Sequence, residues 1–161
     1  MMAKFFLGLA IVAFCSFCGY YLAKKYRKRQ SFYTQFWEFN ERFLGEIAYY
    51  RRPLGEFLSK YTYKNEFELF LNSFYTCLKK EDGLRELAYP DFATEEEKRE
   101  LIDYFSMLGK GDSGAQKAYF STAKETLSKR KKESVEACKK YGDLYVKLGF
   151  LIGLFILVLI V

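Results

Sequence analysis

Residues 5–23 read FFLGLAIVAFCSFCGYYLA, nineteen positions without a charge. As an α-helix this stretch would rise about 28 Å, the hydrocarbon thickness of a bilayer. A cleavable signal peptide would carry a shorter apolar region and a small-x-small cleavage site. Phe17, Cys18, Gly19, Tyr20 and Tyr21 provide neither, and Phe rather than a small residue precedes both Cys15 and Cys18. The stretch therefore reads as an uncleaved membrane anchor. The far end, residues 144–161, reads LYVKLGFLIGLFILVLIV. Its last fourteen residues alone would give about 21 Å of helix, too short to span; starting from Leu144 gives about 27 Å. Lys147 then lies one turn in, its stem along acyl chains and its ammonium at the headgroups.

Between these ends the chain is charged. A basic run, Lys24, Lys25, Arg27, Lys28 and Arg29, follows the first apolar stretch, and Lys139, Lys140 and Lys147 flank the second, with Lys4 alone on the other side. The positive-inside rule puts residues 24–143 in the cytoplasm, with residues 1–4 as a short external end and both termini outside. Lys24, Lys25, Arg27, Lys28 and Arg29 are expected to meet anionic lipid headgroups. The net charge of +6 is concentrated in this run and in Lys129–Lys132, and no module that interleaves base-stacking aromatics with cations is present. A nucleic-acid partner is therefore not expected.

The middle segment reads as helices. Phe32, Phe36, Phe39, Phe43, Ile47 and Tyr50 recur at steps of three and four, which places them on one stripe. Pro53 kinks or ends that helix and suits the first turn of the next, whose apolar face is Leu54, Phe57, Leu58 and Tyr61. Phe67, Phe70, Leu71, Phe74 and Leu78 mark a third helix, closed by the break at Asp82 and Gly83, and residues 84–89 suit a short helical turn before Pro90. Thr94 and Glu97 form a capping box that opens a helix through Leu101, Tyr104, Phe105 and Leu108, ended by Gly109. Ser113 and Gln116 suggest a second box, opening the longest helix. Its stripe of Phe120, Ala123, Leu127, Ser134, Cys138, Tyr141, Tyr145 and Leu148 runs without a proline into the second apolar end. With no sustained two-residue alternation, the expected fold is all-α. It is a compact antiparallel bundle of about five to six helices in residues 24–143, flanked by transmembrane helices at 5–23 and 144–161.

Candidate chemistry is sparse. The chain has no histidine, so the commonest general base and metal ligand is missing. Gly109, Lys110 and Gly111 lack the spacing of a phosphate loop and read as a turn between helices. Cys15 and Cys18 would face lipid, a poor place for zinc, while Cys77 and Cys138 fall on apolar helical positions as small hydrophobes. No enzyme activity, metal or cofactor is expected. Gly149 and Gly153, four apart in the second span, leave a flat groove where another helix could approach.

Three segments carry a resemblance. Glu46, Ile47, Ala48 and Tyr49 lead to Pro53, Leu54, Gly55, Glu56, Phe57 and Leu58; Leu108 and Gly109 follow with Asp112 and Gln116; and residues 144–154 complete the set. In order and spacing the chain resembles the bacterial stage III sporulation protein AB over nearly its whole length. It departs from that family at Lys110 and Gly111 and in its heavy aromatic load. The resemblance implies a helical domain similar to the cytoplasmic domain of the type II secretion F protein. It also implies a non-enzymatic platform in the mother-cell (outer forespore) membrane that recruits a cytoplasmic secretion-type ATPase and organises a channel with other sporulation membrane proteins. Partner contact would then fall to Glu46, Tyr49, Arg51, Arg52, Glu56, Asp112 and Gln116, with Pro53 as the kink. For Asp112 helix capping competes with that role; Arg51 and Arg52, beside a break, favour contact. A generic membrane-tethered scaffold of the envelope or divisome stays open as an alternative, as does homo-oligomerisation.

Overall fold

The computed structural model describes residues 2–50, 53–80 and 87–160, and among them every regular element is helical, with no strand. Helix α1 (Met2–Gly45) continues as one turn of π-helix over Glu46–Tyr50. Then come α2 (Leu54–Lys60), α3 (Asn65–Lys80), α4 (Glu95–Ser106) and α5 (Ser113–Ala137). A second π turn, Cys138–Gly142, passes α5 into α6 (Asp143–Ile160). The all-α expectation holds. Two helical stretches, Phe6–Tyr49 and Ser113–Leu159, are long and apolar enough by composition to cross a membrane.

By packing, the chain forms two compact units, Ser31–Lys131 and the two ends Met1–Gln30 with Lys132–Val161. The hydropathy boundaries at 23/24 and 143/144 therefore fall inside the second of these. Residues 24–30 and 132–143 are polar, yet they pack with the apolar ends.

The 31–131 unit is built on the aromatic stripe of α1. Phe32, Phe36, Phe39 and Phe43 are all buried, and they meet Phe67, Phe70 and Phe74 of α3, Tyr104 and Phe105 of α4 and Phe120 of α5. The rings favour edge-to-face pairs: Phe36 on Tyr104 at 4.7 Å, Phe43 on Phe120 at 4.8 Å and Phe74 on Phe105 at 4.8 Å between centroids. Such geometry adds about 0.5–1.5 kcal/mol per pair beyond area burial. One polar relay crosses this core. The Tyr104 hydroxyl donates to Asn40 Oδ1 (2.8 Å), and Asn40 Nδ2 donates to the Phe120 carbonyl (3.2 Å). Burial holds the Tyr104 hydroxyl well above its ordinary pKa, so it stays a donor. Gln35 ties down the α2–α3 loop, accepting from Lys64 N (2.5 Å) and donating to Lys64 O (3.0 Å). That clamp precedes Asn65, which opens α3 with a positive φ of 54°, a conformation Asn tolerates better than most residues.

The paired ends are built differently, on small residues. A Cβ added at Gly19 would come within 2.5 Å of the Tyr145 carbonyl oxygen, one at Gly149 within 2.6 Å of the Cys15 carbonyl oxygen, and one at Gly153 within 2.8 Å of Val12 Cα. Gly8 meets the Leu157 side chain. As position rises along α1 it falls along α6, so the two helices run antiparallel with backbones in near contact, the approach that small residues permit. At the polar end of this pair the rings of Tyr141 and Tyr145 stack on Tyr26 at 5.4 and 5.9 Å.

Several sequence expectations need correcting. In α3 the inward position belongs to Cys77 (6% exposed), and Leu78 is 44% exposed. In the last stripe Tyr141 and Leu148 are exposed, while Gly142 and Gly153 are buried. The π turn at Cys138–Gly142 inserts extra backbone per turn and rotates the following face by about a residue. The second capping box is absent: α5 starts at Ser113, and Asp112 caps it, its Oδ1 accepting from Ala115 N at 2.7 Å. Gln116 instead donates from Nε2 to the Lys110 carbonyl (3.0 Å). The first box forms as expected between Thr94 and Glu97. Residues 87–90 are not helical; the rest of the short turn expected at 84–89, and the break at Asp82 and Gly83, lie outside the described residues.

Candidate functional site

Two segments more than fifty residues apart in sequence meet on one side of the 31–131 unit. The π turn after α1 contributes Glu46 and Ile47, the following kink Pro53 and Leu54, and the α4–α5 turn Gly109, Gly111, Ser113 and Gln116; together they line a groove of about 310 Å³. Each side has a local cause. Pro53 has φ −55° and lacks an N–H, and its carbonyl accepts from Glu56 N and Phe57 N at 3.0 and 3.2 Å, which starts α2. Across the groove, Gly109 and Gly111 take φ of +73° and +83°, where a β-carbon would be strained. A Cβ at Gly109 would stand 3.3 Å from Leu54 Cδ2, so both its backbone angle and its fit against Leu54 call for glycine.

The groove gathers part of the expected contact set. Glu46 is 3% exposed and sits on its floor. Gln116 is half-buried on its wall, bridged to Lys110. Tyr49, at the end of the π turn, is 83% exposed. Glu56 is exposed on α2. Asp112 is exposed, and its carboxylate is turned into its own helix as the cap. Arg51 and Arg52 lie outside the described residues. Lys24, Lys25 and Arg27 are exposed, and Lys28 and Arg29 are half-buried, in the other unit.

A second groove, of about 300 Å³ between α1, α4 and α5, was not anticipated. Glu97, 2% exposed, is more than a capping residue there: the Tyr33 hydroxyl donates to its Oε1 at 2.5 Å while Thr94 N donates to Oε2 at 3.0 Å. Arg130 donates to Glu100 at 2.6 Å beside it, a bond that raises the guanidinium pKa further. The signal was readable in part, since Tyr33 directly follows the first stripe residue, Phe32, but pairing positions 33 and 97 needs the fold. Glu97 and Glu100 are thus both committed to structural partners, and Asp103 is the third carboxylate that lines the groove. Among the described residues no three His, Cys, Asp or Glu side chains cluster as a metal would need, and all four cysteines are free.

The family model for stage III sporulation protein AB matches residues 4–161. No curated protein matches. No solved structure matches either.

Proposed function

We propose, because this chain belongs to the stage III sporulation protein AB family and so is a sporulation protein, that it works as a non-enzymatic membrane platform. The two apolar ends hold it in the mother-cell membrane, and the 31–131 unit faces the cytoplasm, where it receives a secretion-type ATPase and helps organise a channel with other sporulation membrane proteins. A likeness to the type II secretion F platform is part of the same proposal. The observation that carries it is the groove at Glu46, Pro53, Leu54, Gly109 and Gln116, which gathers segments distant in sequence into one concave surface; the same π turn that supplies Glu46 carries the exposed Tyr49. Partner contacts draw much of their energy from Tyr and Arg side chains beside such pockets. The basic residues flanking the apolar ends favour the cytoplasmic orientation.

The test is co-purification of the tagged full-length chain, in detergent, with the secretion-type ATPase. Tyr49→Ala and the double variant Arg51→Glu, Arg52→Glu are each expected to lower recovery about tenfold, the loss of one hot-spot contact. Asp112→Ala is expected to leave recovery unchanged, since that carboxylate caps its own helix. Full recovery with both contact variants would remove residues 49–52 as the ATPase contact and favour a scaffold for an unrelated envelope or divisome partner.

A further inference from the structure

The excess positive charge of this chain is unevenly placed. The paired ends, residues 1–30 and 132–161, hold ten Lys and Arg against three Asp and Glu, whereas residues 31–131 hold sixteen against seventeen. Within the paired ends the cations are not spread evenly around the helices. On one flank Tyr26 stacks on Tyr141 and Tyr145. At about 100° per residue, Tyr26 lies to one side of the buried seam residue Ala23, and Lys24, Arg27 and Lys28 lie to the other. They sit at i, i+3 and i+4 and so share one stripe. On the neighbouring helix Lys139 and Asp143 lie on the side of the buried Gly142 away from Tyr141. Because the two helices run antiparallel and Tyr26 meets Tyr141 and Tyr145 on one flank, the basic stripe of α1 and the Lys139–Asp143 side of the other helix share the opposite flank; Arg27 and Asp143 both act on the Cys138 thiol, in opposite senses, with burial the largest cause of its raised pKa. The Arg27 guanidinium lies 5.3 Å over the Tyr20 ring, which bends it back towards the apolar segment.

We propose that this flank, with Lys24, Arg27, Lys28 and Lys139 around Asp143, is a binding site for the phosphate of an anionic phospholipid headgroup, assembled only when the two ends of the chain are paired. Lys24, Arg27 and Lys139 against the carboxylate of Asp143 leave an excess of positive charge at the polar edge of two apolar helices, the level at which lipid phosphates lie. Lys25 and Arg29 belong to the same basic run but point off the flank by helical spacing, so position, beyond charge count, governs the site. The stacked tyrosines close the opposite flank and leave one side for the headgroup. The proposal rests on the reading that both ends are embedded in a bilayer.

The experiment uses the full-length chain reconstituted into vesicles of phosphatidylcholine with one-fifth phosphatidylglycerol, then released from small lipid discs of the same composition for native mass spectrometry of retained lipid. Wild type is expected to keep phosphatidylglycerol over phosphatidylcholine by about tenfold beyond their mole ratio, as two or more surface cations would give. Lys24→Gln with Lys139→Gln is expected to bring retention close to the mole ratio, while Lys25→Gln with Arg29→Gln, an equal loss of charge, keeps the wild-type preference. Equal loss in both double variants, or no preference in wild type, overturns the site. Alkaline carbonate washing of the vesicles separates the two failures: a chain that stays embedded without lipid preference sinks only the headgroup site, and a chain washed free sinks the membrane reading with it.

Discussion

The two units of this chain hold helices together with opposite materials. In residues 31–131 contact is made by large rings, with Phe32, Phe39, Phe67, Phe70 and Phe105 each no more than 1% exposed. In the paired ends contact is made where side chains are missing, at Gly8, Gly19, Gly149 and Gly153, while Phe14, Phe17 and Phe155 point outward at more than 65% exposure. If the paired ends lie in a bilayer, as proposed, the inversion has a physical cause. In water, burying an aromatic side chain is the largest favourable term available. Between apolar helices in lipid that term vanishes, because acyl chains are as apolar as Phe, and close backbone approach is what remains. A residue type thus has opposite meanings in the two halves: Phe marks the inside of one and the outside of the other.

The comparison breaks most sharply at Phe105, whose ring lies against those of Phe36, Phe70 and Phe74. Phe105→Ala is expected to cost about 3–5 kcal/mol through lost burial and a residual cavity, read as a shift in denaturant midpoint by the fluorescence of the single Trp37 of the full-length chain in detergent. The same truncation at Phe14, 69% exposed, should leave that midpoint within about 0.5 kcal/mol. Equal effects would mean that both halves pack alike.

The converse experiment enlarges a residue. Gly149→Leu would push atoms into the Cys15 carbonyl, which is backbone and cannot rotate away; overpacking of this kind costs about 1–3 kcal/mol. The readout is intramolecular cross-linking by a short bis-maleimide between cysteines placed at 26 and 141, with the four native cysteines changed to serine. The cross-link should form readily in the parent and at least tenfold more slowly with Gly149→Leu. Gly55→Ala serves as the contrast: nothing stands within 4 Å of its added Cβ, so this exposed α2 position should gain about 0.5–1 kcal/mol.

How much of this was legible in the sequence follows the same division. The aromatic stripe of α1 and the Thr94–Glu97 box are local patterns at helical spacing, and both stand where periodicity puts them. Gly149 and Gly153 were visible as a pair, but Gly8 and Gly19, eleven residues apart, acquire meaning only once α6 lies against them. The groove joining Glu46 to Gln116 and the Tyr33–Glu97 hydrogen bond each need two distant segments in register, which no local rule supplies. The failed stripe positions, Tyr141 and Leu148, follow from the π turn, because extrapolating a 3.6-residue period across it is a phase error. At the start of α5 the error was a single residue: Ser113 and Asp112 are both good caps, and the choice went to Asp112. Asp112→Ala should therefore cost about 1 kcal/mol and Ser113→Ala only a few tenths, measured by the same midpoint. The reverse order would restore the Ser113 box.

The smallest effect expected lies on the surface of the 31–131 unit, where near-balanced charge leaves exposed ion pairs little to contribute. Glu95, in the first turn of α4, accepts from Lys98 Nζ at 2.7 Å, and its side chain is 81% exposed. That hydrogen bond is the main cause holding its carboxyl below the ordinary glutamate pKa, with the attraction of the Lys98 charge next. A folded-state value below the unfolded one means that the contribution is complete above the unfolded pKa and is lost as pH falls through the folded value. The stability gap between wild type and Glu95→Gln should thus be small at pH 7 and close as the solution is acidified below the usual glutamate range. It should close at pH 7 too when salt is raised to about 1 M, where the screening length is near 3 Å. A gap that survives both treatments would place Glu95 in packing instead, and would make the outside of the bundle an exception to the rule that its stability resides in its rings.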